Sequence, residues 1–140
     1  MNILVSACLL GINCKYSGGN NLNDKVLKLG ERYSLIPVCP EQLGGLPTPR
    51  MPSEIKGSNI VNVSGKDVTQ NYIRGAKETL KIAKLYDCRY AVLKERSPSC
   101  ASKEVYDGTF SKKIVSGKGI TAALLESAGI EVLNEDNEFL

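Results

Sequence analysis

Three cysteines each stand where an apolar run gives out. Residues 3–7 lead into Cys8, residues 35–38 lead into Cys39, and residues 91–93 are followed by a short loop and Cys100. In an open α/β sheet the carboxyl ends of parallel strands share one edge, and sites are built there. Thiols far apart in sequence can therefore meet at one point. A structural zinc ion or an electron-transfer cluster is ordinarily closed by four protein ligands, so a set of three leaves a position free for a substrate. A lone cysteine is more often a small buried apolar residue. Spacing by itself leaves shared metal ligation and simple burial both open. The chain has no C-x-x-C pair, which argues against a zinc ribbon or knuckle.

Two further cysteines complete the set of five. Cys14, in a glycine-rich loop, reads as a fourth ligand, a neighbour of the ligands or a spectator. Cys88 precedes a strand and reads as structural. Glu41 follows Cys39 by two residues. A loop carboxylate is usually just solvated, but one held beside a cationic, partly desolvated site serves as general acid or base. Ser97 and Ser99 flank Pro98 directly before Cys100. They read as a turn, or as hydroxyls that hydrogen-bond substrate or water. Arg50 closes a proline-rich loop, either as an exposed cation or as a group that binds an anion or orients a substrate carbonyl. Ser116-Gly117-Lys118-Gly119 lacks the glycine spacing and GK[ST] ending of a phosphate loop. It retains the possibility of offering helix N–H groups to an anion.

Composition narrows the chemistry. The 140 residues include no histidine and no tryptophan. Imidazole acid–base work, Ser-His-Asp and Cys-His triads and His-ligated zinc hydrolases are thereby excluded. The net charge of +3, with the two signs interspersed, suits a nucleotide or other anionic small molecule. It is too weak to argue for a nucleic-acid track. Length predicts a single domain over residues 1–140. No apolar run approaches the roughly 20 residues of a membrane span, and no leader pattern opens the chain. A cytoplasmic protein is the expectation, and an odd cysteine count there points away from disulfides.

The elements that must position these residues follow from patterning. Strands are expected at 2–7, 34–38, 89–93 and 130–133. Asn23 or Asp24 caps a short helix that runs to Tyr33. Residues 39–52, with four prolines and two glycines, read as rigid and non-helical. Residues 53–64 read as a hairpin about Gly57-Ser58. The clearest helix is 68–86, with apolar residues at helical spacing and Asp67 and Gln70 as a capping-box-like pair. Residues 105–110 form a turn or hairpin, and 119–128 a helix stopped by Gly129. The tail 134–140 is expected to fray. Strands alternating with helices predict an α/β, Rossmann-like three-layer domain with a mostly parallel sheet and a β-hairpin insertion.

Several blocks resemble one known family across almost the whole chain. They are Ser6-Ala7-Cys8-Leu9-Leu10-Gly11 with Cys14-Lys15-Tyr16, and Pro37-Val38-Cys39-Pro40-Glu41 with Leu43-Gly44-Gly45-Leu46-Pro47-Thr48-Pro49-Arg50. Ser97-Pro98-Ser99-Cys100, Tyr106-Asp107-Gly108-Thr109-Phe110 and residues 117–123 complete the match. The sequence is similar to the thiouracil desulfidases. That resemblance implies a [4Fe-4S] cluster on Cys8, Cys39 and Cys100, with catalytic roles for Glu41 and Ser97. It implies non-redox conversion of a thionated nucleobase or nucleoside to the oxo form, with release of hydrogen sulfide. Lys15 and Ser17 stand where arginine and aspartate are usual in the family, and Ala101 and Ser102 where glycine is. The alternatives are another open-iron lyase, a non-catalytic metal or redox sensor, and a cluster-free nucleotide binder.

Overall fold

A computed structural model describes residues 1–137. Among these the chain runs β1 (Asn2–Ser6), a 3-10 turn (Ala7–Leu10), α1 (Asp24–Lys28), a second 3-10 turn (Leu29–Glu31), β2 (Ser34–Val38) and α2 (Pro40–Leu43). It continues through β3 (Ser53–Lys56), β4 (Asn59–Asn62), α3 (Thr69–Leu85), β5 (Tyr90–Leu93), β6 (Glu104–Tyr106), β7 (Ile114–Ser116), α4 (Ile120–Ser127) and β8 (Glu131–Asn134). The central sheet is parallel, in the order β2-β1-β5-β8, and β3-β4 and β6-β7 form antiparallel pairs.

The sheet is buried on both faces, so β1 is a continuous apolar run rather than an alternating one. Ile3 and Val5 pack with Val26 and Leu29 on one face. Leu4 packs with Ala83 of α3 and Leu125 of α4 on the other. Helices on both faces give the expected three-layer α/β arrangement. Pro37 is tolerated in β2 because that strand lies at the sheet edge. The β1-to-β2 connection lies over one face, and the β5-to-β8 connection over the other. Neighbouring strands whose connections diverge in this way open a crevice at their carboxyl ends. Ser6–Cys8 and the loop after β5 border that crevice.

Three expectations need correction. Residues 39–52 are not wholly non-helical, because Pro40 opens α2 at its first position with Cys39 as the extended N-cap. A proline there costs no hydrogen bond and its fixed φ is already helical. The pair Asp67 and Gln70 forms no capping box: Val68 is the N-cap of α3, and Asp67 accepts the Thr69 N–H instead. The tail does not fray through 134–137. Asn134 is buried and donates to the buried Glu95 carboxylate at 3.2 Å, while Glu135 accepts the Glu95 N–H at 2.7 Å. The remainder of that tail, 138–140, lies outside the described residues.

Two close approaches set the site elements. A Cβ on Gly75 would lie 1.9 Å from the Pro40 carbonyl oxygen, and one on Gly44 would lie 2.0 Å from that of Asn71. Helix α2 therefore presses backbone to backbone against α3. At the start of α4 the Ile120 and Thr121 N–H groups donate to the Pro98 and Ser99 carbonyls at 2.9 Å each. These donors hold the loop before Cys100, so they are not offered to an anion. Asn23 caps α1 through the Val26 N–H, as its position before the apolar residues predicts. Among the described residues no helix is long and apolar enough to cross a membrane.

Candidate active site

Cys8, Cys39 and Cys100 all line one cavity of about 570 Å³. Cys8 reaches it from the turn after β1, Cys39 from the N-cap of α2, and Cys100 from the loop after β5. Cys14 lines it too, whereas Cys88 sits in the apolar cluster with Leu4, Ala83 and Ile130. All five cysteines are free.

Each thiol has a distinct environment. The Ser6 and Ser99 hydroxyls lie 3.5 and 3.4 Å from Cys100 Sγ. Burial pushes the Cys100 thiol up to about 12 against the pull of those hydroxyls. Burial also raises Cys8, with the Asn21 side chain opposing it. Cys39 is lowered to about 6, first by the Cys14 thiol and in part by Arg50, whose Nη2 lies 4.0 Å from its sulfur. The same bond to Cys39, with burial added, raises Cys14 far above the ordinary thiol value. Cys39 gets no full cap bond from α2, yet the Gln42 N–H lies near enough to help its thiolate.

Glu41 lies on α2, one residue past Pro40, and its carboxylate is gripped on both oxygens. Arg50 Nε donates to Oε1 at 3.1 Å and the Tyr72 hydroxyl donates to the same oxygen at 2.8 Å. The Ser99 hydroxyl donates to Oε2 at 3.2 Å. The Arg50 side chain is 5% exposed and that of Glu41 16%, so the pair is largely withdrawn from water. Burial alone would lower Arg50, but the Glu41 charge outweighs it and raises the guanidinium. Burial, with Glu41 adding to it, raises Tyr72, which therefore remains a proton donor to the carboxylate. Arg50 also donates to the carbonyls of Cys14 and Pro47 and to the Thr48 hydroxyl. Its fork ties the Cys14 loop to α2.

Ser97 lines the cavity, and its oxygen accepts the N–H groups of Ser99 and Cys100 at 3.1 Å each. Ser99 is wholly buried behind that wall, linked to Ser97, Glu41 and Cys100. Ser6 accepts the Lys94 N–H at 2.9 Å and so fastens β1 to the loop after β5. The wall further includes Lys15, Lys94, Arg96 and Lys112, with Tyr106 and Phe110.

Sequence reasoning missed Tyr72, Ser6 and Glu54. Tyr72 counts as part of the apolar face of α3, but a buried tyrosine must find a partner for its hydroxyl, and that was the available signal. Glu54, a carboxylate inside a hairpin strand, accepts the N–H groups of Gly108 and Phe110 at 3.0 and 3.1 Å.

The donor set suits an iron–sulfur cluster. Among the described residues no three Cys, Asp or Glu side chains converge closely enough to hold a single metal ion. A cluster takes each thiolate on a different iron, so its ligands stand farther apart than those of one ion. Thiolates are the usual ligands of such clusters, and hydrogen bonds to their sulfurs tune them. Cys39 and Cys100 both have such donors close by.

Known proteins resemble the chain over nearly its whole length. The protein YbbK of Bacillus subtilis (strain 168), described as uncharacterized, is 46% identical over 144 residues, covering 96% of this chain and 95% of its own. The solved structure of the [4Fe-4S]-dependent thiouracil desulfidase TudS superposes with a TM-score of 0.91 at 43% identity, covering 96% of this chain and 91% of that one. The profile of the 2-thiouracil desulfurase family matches residues 3–137, and the chain belongs to that family.

Proposed function

We propose that this protein is a [4Fe-4S]-dependent desulfidase that replaces the sulfur of a thionated pyrimidine, thiouracil or a related nucleoside, with oxygen from water and releases hydrogen sulfide. The observation that carries this reading is the meeting of Cys8, Cys39 and Cys100 on one cavity beside a fully gripped Glu41. Those three cysteines hold the cluster. When bound, it supplies an iron without a protein ligand, a Lewis acid suited to a soft thiocarbonyl sulfur.

The chain's own residues do the rest. The net change is C=S plus water to C=O plus hydrogen sulfide, so no electrons are gained or lost. Glu41 takes a proton from the attacking water and returns it as sulfur departs. Arg50, Tyr72 and Ser99 fix its carboxylate, so no reorganisation is spent aiming it. Ser97, with two N–H groups on its oxygen, gives its own hydrogen to the Ser99 hydroxyl, which donates in turn to Glu41, so Ser97 acts on the reaction by aiming that carboxylate. A reducing compartment such as the cytoplasm suits this site, because oxidation would consume the ligand thiols.

The test is anaerobic reconstitution, then measurement of sulfide released from 2-thiouracil, a thionated nucleoside and a thiolated tRNA, with a hydroxy acid offered as a hydro-lyase substrate. Sulfide release from a thionated pyrimidine, lost in Glu41→Ala while the iron content holds, is the expected result. Dehydration of the hydroxy acid with no sulfide from any thionated compound would overturn the proposal.

A further inference from the structure

We propose that Phe110, on the loop between β6 and β7, is the wall on which the planar ring of the substrate stacks, and so a positioning and specificity-determining residue. The proposal rests on the function given above and adds the contact that selects a flat heteroaromatic ring. Among the described residues four other than glycine take a positive φ, and three of them line the cavity: Arg96 (+65°), Phe110 (+56°) and Lys112 (+65°). A side chain with a Cβ persists in that region only where its surroundings over-determine it, and such residues cluster at ligand sites.

The surroundings here are explicit. The buried Glu54 on β3 uses one carboxylate oxygen to accept the N–H groups of both Gly108 and Phe110. Gly108 (φ +92°) lies so close to β3 that a Cβ would stand 2.7 Å from the Ile55 carbonyl oxygen. Asp107 accepts the Thr109 N–H and hydroxyl at 2.9 and 2.6 Å, and its own N–H donates to the Lys113 carbonyl at 3.0 Å. The loop is thus fastened on both sides of Phe110.

That fastening does not serve the core. Phe110 belongs to none of the three buried apolar clusters, and neither does Tyr106. Both side chains are partly exposed, and they line the cavity that also holds the cysteines. An aromatic face on the cavity wall is matched by the π-face of a pyrimidine, which also lets the ring's edge groups reach polar partners.

The experiment uses the cluster-loaded protein and uracil, which keeps the flat ring but carries no sulfur. Uracil binding is measured by calorimetry, and kcat and KM with 2-thiouracil, for wild type, Phe110→Ala, Phe110→Leu and Phe110→Tyr. Iron content and Tm are followed in each. Phe110→Ala and Phe110→Leu should weaken uracil binding about tenfold, the scale of one base–aromatic stack. KM should rise by a similar factor with kcat held, the mark of lost uniform binding. Phe110→Tyr should behave as wild type, with iron content unchanged throughout. Wild-type uracil affinity in Phe110→Ala, or equal behaviour of Phe110→Leu and Phe110→Tyr, would overturn the proposal. The Leu–Tyr comparison decides it if the alanine variant does not fold. Wild type that binds uracil through Phe110 but releases no sulfide would defeat the catalytic reading alone. Wild type that releases sulfide while every variant binds uracil unaltered would defeat the stacking wall alone.

Discussion

Glu41 was visible as a candidate from its place two residues after Cys39. The means of holding it were not, because Arg50, Tyr72 and Ser99 come from three other parts of the chain and no local pattern links them. Arg50 and Tyr72 each make a testable claim. Removing Arg50 leaves a largely buried carboxylate without its counter-charge, so Arg50→Ala should cost about 3 kcal/mol in denaturant unfolding, with Arg50→Lys only a partial rescue. Tyr72→Phe loses one hydrogen bond of 2.8 Å. It should cost about 1 kcal/mol of stability and lower kcat more than it raises KM, because the carboxylate it aims is the acting group. Cys14 was open between ligand and neighbour on sequence alone. Its carbonyl accepts Arg50 Nη2 at 2.9 Å and lies 3.7 Å from Cys39 Sγ, contacts that Cys14→Ser keeps, so that variant should retain the cluster's iron on reconstitution. Loss of iron in that variant would make Cys14 a ligand.

At the scale of elements, the central-sheet strands, the β3-β4 hairpin and the two longer helices were legible because their apolar runs and periods are clean and their stops are ordinary. The helix over 40–43 was not, because a run crowded with proline and glycine masks one turn whose first residue is itself a proline. The glycines of that region have a different meaning from the one composition suggests. Gly75 sits inside α3, where alanine would ordinarily stabilise by about 0.5–1 kcal/mol. Here its missing Cβ is the space that the Pro40 carbonyl fills. Gly75→Ala should therefore destabilise by about 1–3 kcal/mol or more. It should also displace Cys39 and Glu41 together, since both ride on α2. Thermal unfolding and iron content read the two effects, and a stabilised Gly75→Ala protein with full iron would contradict this packing.

Across the whole molecule, the sheet order β2-β1-β5-β8 brings three cysteines distant in sequence to the wall of one cavity. Their place at the strand ends that border this cavity was readable as a pattern, and the resemblance named the cofactor. The cavity's far wall was not readable, because it is built from a second antiparallel pair fastened by Glu54 rather than by any periodic signal. The central claim is that Cys8, Cys39 and Cys100 together hold one cluster. Iron and acid-labile sulfide per chain, measured after anaerobic reconstitution of wild type and of Cys8→Ala, Cys39→Ala, Cys100→Ala and Cys88→Ala, test it most directly. The account predicts about four of each in wild type and Cys88→Ala, the stoichiometry of a [4Fe-4S] centre, and little of either in the other three. A full complement in any one of those three, or none in wild type, would contradict it.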